Sequence, residues 1–165
     1  MITYKKMRLQ DAPEDSILLH ACNAQGVWGS GIALSLKKLY PKSYLAYNGY
    51  CTNFLQANPY YGAVGTALIT SREKKHFIGC MITSFGFGGN KDNEDVIIGQ
   101  TWLALDDFFR QYNYVTNGLH GKPIYCNKFN SGLFAVPWTK TENILAYFAG
   151  RYNVEVVICD PTMQD

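Results

Sequence analysis

The stretch from Leu19 to Ala33 (Leu-His-Ala-Cys-Asn-Ala-Gln-Gly-Val-Trp-Gly-Ser-Gly-Ile-Ala) constrains the fold more than any other part of the chain. It continues the apolar run Ser16-Ile17-Leu18-Leu19, which reads as a buried strand. It leads into a segment where Ile32, Leu36, Leu39 and Tyr40 fall on one face of a helix. Between them lie Asn23 and the glycines at 26, 29 and 31. Glycines let the backbone turn tightly and offer bare N–H groups at a helix start, where an anion is favoured. A plain strand-to-helix turn would use the same glycines. His20 and Asn23 tip the reading toward a ligand, because open α/β sheets bind at the C-terminal ends of their strands. The stretch reads as a phosphate-handling loop.

The remaining chain alternates strands and helices. Strands are expected at Ile2 to Met7 (an edge), Ile17 to Cys22 (central), Ala63 to Ser71, His76 to Ser84, Lys122 to Phe129 and Val154 to Cys159. A helix from Ile32 to about Tyr40 stops at Pro41, and another runs from Ser43 to Leu55. Ile98, Trp102, Leu105, Phe109 and Tyr112 carry the most regular helical period. Thr139 and Glu142 read as a capping box opening a helix with Ile144, Leu145 and Phe148. Gly86 to Asn90 reads as a mobile loop by composition, and the last six residues as a frayed tail. The pattern predicts one α/β domain over 1–165, with a mostly parallel or mixed sheet covered on both faces.

Composition narrows the function classes. At 165 residues, 47% hydrophobic and 17% charged, the chain suits one globular domain. The net charge of +2 comes with scattered basic pairs, not the dense stripe of a nucleic-acid binder. Cysteines at 22, 51, 80, 126 and 159 form no C-x-x-C pair, so buried free thiols in a reducing compartment are expected. The N-terminus lacks a signal-peptide apolar region, and no run approaches the ~20 apolar residues of a membrane span. These features predict a cytoplasmic, soluble protein with no membrane partner.

Spacing excludes several catalytic plans. Gly121-Lys122 is followed by Pro123, so there is no Walker loop. Leu34 stands where a dinucleotide fingerprint needs its third glycine. Trp28 stands where a cysteine phosphatase built on Cys22 would need Arg. His20, His76 and His120 lie far apart without a supporting carboxylate pattern, so neither a metal nor another cofactor is expected. A second small, polar loop, Asn130-Ser131-Gly132-Leu133-Phe134-Ala135-Val136-Pro137-Trp138, again joins a strand to a helix. Two such loops suit the two sides of one cleft, with Phe134 over a sugar or base. Thr83 and Ser84 end a third strand and could supply hydroxyls nearby.

With both loops in view, the chain resembles the macro domain family, and within it the branch of yeast-type ADP-ribose-1″-phosphate phosphatases. The matching pieces are HxCNxxGxWGxGIA (His20 to Ala33), Leu36-x-x-x-Tyr40-Pro41-Lys42, Thr83-Ser84-Phe85-Gly86 and Asn130 to Trp138. The resemblance implies a three-layer α/β/α domain with its core at about 2–159. It implies ADP-ribose across the C-terminal edge of the sheet, embraced by Trp28, Gly29, Ser30, Gly31, Ile32 and Ala33 on one side. Asn130, Ser131, Gly132, Leu133, Phe134 and Ala135 would form the other side. Ala21, Cys22, Ser84 and Phe85 are expected to complete the site, with Asn23 at the distal ribose and His20 as general acid or water-orienting residue.

The resemblance further implies a metal-independent phosphatase releasing phosphate from ADP-ribose 1″-phosphate, a by-product of tRNA splicing. A monomer is expected. The alternatives are an ADP-ribosyl hydrolase and a module that only binds ADP-ribose. Where many relatives carry Gly-Asp-Ile for adenine, this chain has Met7, Arg8 and Leu9. A guanidinium donates only, so Arg8 cannot accept from the adenine amine. Asp11, Glu14, Asp15 or backbone carbonyls are the candidate substitutes. Phe134 occupies the position of an Asp used by ADP-ribosyl hydrolases, and Asp92 reads as an acidic helix start.

Overall fold

Side chains alternate across a strand, and along Ile17–Asn23 both resulting faces are apolar. Ile17 and Leu19 join a core with Phe108 and Phe148, whereas Leu18 and Cys22 join another with Leu36 and Tyr47. A strand buried on both faces belongs inside a sheet covered by helices on each side. The computed structural model describes residues 1–164. Its strands are β1 (Ile2–Lys5), β2 (Ile17–Asn23), β3 (Ala67–Ile69), β4 (Phe77–Ser84), β5 (Ile124–Cys126) and β6 (Val156–Cys159). Its helices are α1 (Gly31–Leu39), α2 (Pro41–Ala57), α3 (Glu94–Tyr112) and α4 (Trp138–Tyr152). The sheet order is β1-β6-β5-β2-β4-β3, parallel except for the antiparallel pair β3–β4. Helices α3 and α4 cover one face, α1 and α2 the other. This is the expected three-layer α/β/α arrangement with a mixed, mostly parallel sheet.

Local chemistry explains the boundaries. Pro41 ends α1 and opens α2 at its first position, where its missing N–H costs nothing. Asn93 caps α3 by accepting the Val96 N–H at 3.0 Å. Gly79 faces α3 at close range: a Cβ there would lie 2.9 Å from Leu19 Cδ1 and 3.3 Å from Phe108 Cε1. In β2 and β4 the register slips between Cys22 and Asn23, so Cys22 faces Ile82 and Asn23 faces Ser84. Such a bulge re-aims the strand end beside a site.

Several sequence expectations need correction. The strands expected at Ala63 to Ser71 and Lys122 to Phe129 shorten to three residues each, because their flanks turn away into loops. The Thr139–Glu142 capping box does not form. Pro137 precedes the first helical residue, Thr139 lies inside the helix, and Glu142 instead accepts the Tyr4 hydroxyl. Trp102 is 40% exposed, packed on Tyr147 and Phe148, while Ile97, Thr101, Ala104 and Phe108 carry much of the buried face. Gly88–Asn90 form a 3-10 turn within the glycine loop. The tail is tied down at its start, where Asp160 N–H donates to Lys5 and the carboxylate pairs with Lys128; Asp165 lies outside the described residues. No described helix is long and apolar enough to cross a membrane.

Candidate active site

After β2 the chain crosses to α1 on one face of the sheet, and after the neighbouring β5 it crosses to α4 on the opposite face. Loops that part in this way leave a crevice at the strands' C-terminal ends. A cavity of about 370 Å³ opens there, between Val27–Ala33 and Asn127–Phe134, with Phe87 and Gly88 at its rim.

The first wall is shaped by Asn23 and held by α2. The Asn23 amide accepts the Gln25 and Val27 N–H groups at 3.0 and 3.3 Å and donates to the Val27 carbonyl at 2.7 Å. Gly26 takes a positive φ of 79°, and its carbonyl accepts the Tyr44 hydroxyl at 2.9 Å and the Asn48 amide at 3.1 Å. Trp28 is buried, stacked on Tyr47 with ring centroids 5.0 Å apart. Gly31, Ile32 and Ala33 then open α1 and line the cavity. The first N–H groups of a helix have no intrahelical acceptor and carry the positive end of its dipole.

The second wall hangs on Asn130. Its backbone is left-handed (φ 67°), and its buried amide accepts the Thr83 hydroxyl at 2.8 Å while donating to Thr101 at 2.9 Å. Those bonds tie the loop to β4 and α3. The turn closes through Ala135 N–H to Gly132 and Val136 N–H to Asn130.

Among the described residues, Cys22 and Lys128 are the ionisable side chains lining the cavity. Burial pushes the Cys22 thiol well above its usual range, which keeps it neutral. The Lys128 ammonium lies 2.8 Å from Asp160, and together with hydrogen bonds from Thr162 it holds that carboxyl down at about 2. The cleft therefore offers one cation, a helix start and several amides, with no carboxylate on its walls. Two buried polar atoms there lack any partner: the Trp28 indole N–H and the Asn127 amide oxygen.

Of the residues expected from sequence, Ala21, Cys22, Asn23, Trp28, Gly29, Ser30, Gly31, Ile32, Ala33, Asn130, Gly132, Leu133 and Phe134 line the cavity. His20 does not reach it. Strand alternation turns the imidazole to the α1/α2 face, where it is fully buried, edge-on to Trp28 at 5.0 Å. Ser84 and Phe85 also stand off. The Ser84 hydroxyl donates to Gly86 and accepts from Asp92 N–H, and Phe85 packs into the α1/α2 core. Thr83 spends its hydroxyl on Asn130. Ser131 and Ala135 lie outside the lining, as does Met7.

Arg8 and Leu9 line a second cavity of about 310 Å³, which shares Ile32 and Asn127 with the first. Arg8 pairs with Asp11 at 2.8 Å beside the second cavity, and Glu14 and Asp15 pair with Arg72, so these acids are engaged in ion pairs and line neither cavity. Asp92 likewise accepts Phe85 N–H and the Gln100 amide. Val27, Phe87, Gly88, Asn127, Lys128 and Phe129 were missed. The position of Asn127 and Lys128 directly after a strand was the available signal for those two. One gathering of metal-ligating atoms occurs among the described residues, His20 with Cys22 and Cys80. Histidine spacing alone gives no hint of it, because Cys80 comes from another strand.

The family model described as Macro domain matches residues 19–145. The chain belongs to the macro domain family. Among curated relatives of this macro domain is the ADP-ribose 1″-phosphate phosphatase of Aspergillus clavatus, 36% identical over 87% of this chain and 88% of that protein. The macrodomain of Mycobacterium tuberculosis DarG superposes with a TM-score of 0.76 at 23% identity, covering 98% of this chain and 99% of that one. Thermosipho africanus DarTG, solved in complex with ADP-ribose, matches with a TM-score of 0.73 at 14% identity, over 98% of this chain and 44% of that one.

Proposed function

We propose that this macro domain is a phosphoric monoester hydrolase that converts ADP-ribose 1″-phosphate, as formed in tRNA splicing, to ADP-ribose and phosphate. The observation that carries the reading is the cleft itself: a helix start opens onto a cavity of about 370 Å³ between two loops, with Lys128 on its lining. The relative from Aspergillus clavatus bears the name of that activity, and the Thermosipho relative holds ADP-ribose. The first turn of α1 and the Gly132 loop would hold the phosphates through backbone N–H groups, as charge redistributes in the transition state. Lys128, whose ammonium is paired with Asp160, borders the same space. The orphaned Trp28 N–H supplies a donor for a phosphate or ribose oxygen, and the orphaned Asn127 oxygen an acceptor for a ribose hydroxyl.

Water attacks phosphorus, and the P–O bond to the sugar breaks. The sugar oxygen takes a proton, and phosphate leaves. Among the described residues the walls offer no carboxylate to hold a hard divalent cation at the phosphoryl group, which favours a reaction without one. His20 serves as a positioning residue, packed behind Trp28 and beside Cys22. Asn23 shapes the first wall.

A binding-only role is the second reading, and the absence of a carboxylate or imidazole on the cleft walls among the described residues favours it. Phosphate release from ADP-ribose 1″-phosphate in the presence of chelator separates the two. Turnover by the wild type, with kcat/KM about 10-fold or more lower in Lys128→Ala, supports the phosphatase. Tight ADP-ribose binding without phosphate release assigns the binding role. His20→Gln should lower kcat while the pH–rate profile keeps its limbs. Loss of a limb would return His20 to acid–base work.

A further inference from the structure

The protein buries two histidines completely, and they are treated very differently. At His76, Nδ1 meets the Tyr40 hydroxyl at 2.5 Å and Nε2 lies 2.9 Å from the Ala12 carbonyl, so both nitrogens have oxygen partners. At His20 the polar neighbour is sulfur: Cys22 Sγ, 3.4 Å from Nε2 and 3.8 Å from Nδ1. A thiol is a weak donor and a weak acceptor, and buried polar atoms are ordinarily better satisfied than this.

The sheet register explains the company His20 keeps. Cys80 on β4 stands directly opposite His20 on β2, and Cys22 lies two residues further along the same face. The imidazole and both sulfurs come within 4.8 Å of one another, all buried. We propose that His20, Cys22 and Cys80 form a three-ligand site for a soft or borderline divalent cation, zinc foremost, beneath the first wall of the cleft.

Proximity and charge both support the assignment. With Zn–S near 2.3 Å and Zn–N near 2.0–2.1 Å, tetrahedral ligation places sulfur and nitrogen about 3.5 Å apart. Cys22 Sγ lies 3.4 Å from Nε2 but also only 3.8 Å from Nδ1, beside the ring, so binding also turns the imidazole to aim Nε2 at the metal. Two thiolates, one neutral imidazole and a divalent cation sum to zero, so the occupied site buries no net charge. Thiolate and imidazole donors select zinc-like ions over magnesium or calcium. Binding forms two metal–sulfur bonds and one metal–nitrogen bond, and the two thiol protons leave to solvent. Trp28 packs edge-on to His20 and lines the cleft, and Cys22 does the same from the strand, so occupancy stiffens that wall.

Cobalt(II) is the probe, added to the full chain kept reduced with a phosphine. One equivalent should give visible bands of tetrahedral cobalt with sulfur-to-cobalt charge transfer in the near ultraviolet. Cys51→Ala should keep the spectrum, and Cys80→Ala, with circular dichroism checking its fold, should lose most of the charge-transfer intensity. X-ray absorption of the zinc-loaded wild type should find two sulfurs near 2.3 Å and one imidazole nitrogen near 2.0 Å, and it decides the matter alone if Cys80→Ala does not fold. Wild-type protein without thiolate charge transfer, a shell of oxygen and nitrogen only, or a spectrum unchanged in folded Cys80→Ala would each overturn the site.

Discussion

Asn130 shows how one residue can hold a whole wall. Its left-handed backbone suits Asn better than most residues, and its amide links hydroxyls from β4 and α3. Asn130→Ala would leave Thr83 and Thr101 without that partner and place alanine in a strained conformation. We expect a loss of about 2–3 kcal/mol in urea unfolding, with weaker ADP-ribose binding by calorimetry. An unfolding midpoint within error of wild type would show that the network contributes nothing. Gly86 sets a second local limit, because a Cβ there would run into the Asn90 backbone oxygen. Gly86→Ala should therefore disturb the turn that presents Phe87 and Gly88, and it should weaken ADP-ribose binding at the cleft rim more than global stability.

At the scale of elements, the fold was readable where periodicity was strong and both ends were punctuated. The continuous apolar run of β2 and the Pro41 break are of this kind. Short strands such as β5 were overextended, because a run of Lys122 to Phe129 does not reveal where the backbone leaves the ladder. For the site, the two loops were readable from glycine and asparagine content. The facing of individual side chains was not: His20 sits at the right strand end but on the inner face, which only pairing and alternation decide. The glycine at 79 illustrates packing between elements. Gly79→Ala should push α3 from the sheet and cost about 1–3 kcal/mol in thermal or urea unfolding.

The Asp160–Lys128 pair joins the end of β6 to the second wall and makes a pH prediction. The folded carboxyl is held at about 2 against an ordinary 3.8. A lowered folded pKa means the contribution is complete above the ordinary value and lost as pH falls toward about 2. The melting temperature of wild type should therefore fall more steeply than that of Asp160→Asn below about pH 4; parallel curves would refute the coupling.

Over the whole molecule, all five cysteines are buried and free. Burial pushes Cys51 and Cys159 up to about 12, and Cys22 and Cys126 also rise well above their ordinary value. Native protein at mildly alkaline pH should react only slowly with a thiol reagent, whereas guanidinium should release all five thiols. Rapid native labelling of two or more would contradict this burial.

The two cleft walls belong to opposite layers, one leading into α1 and the other into α4. A small molecule seated between them works as a clasp across the sheet edge. It ties together two helices that pack on opposite faces of the sheet, so their openings to solvent become one event. Amide exchange should slow together in the first turns of α1 and α4 when ADP-ribose is added, while the far ends of both helices keep their own pace.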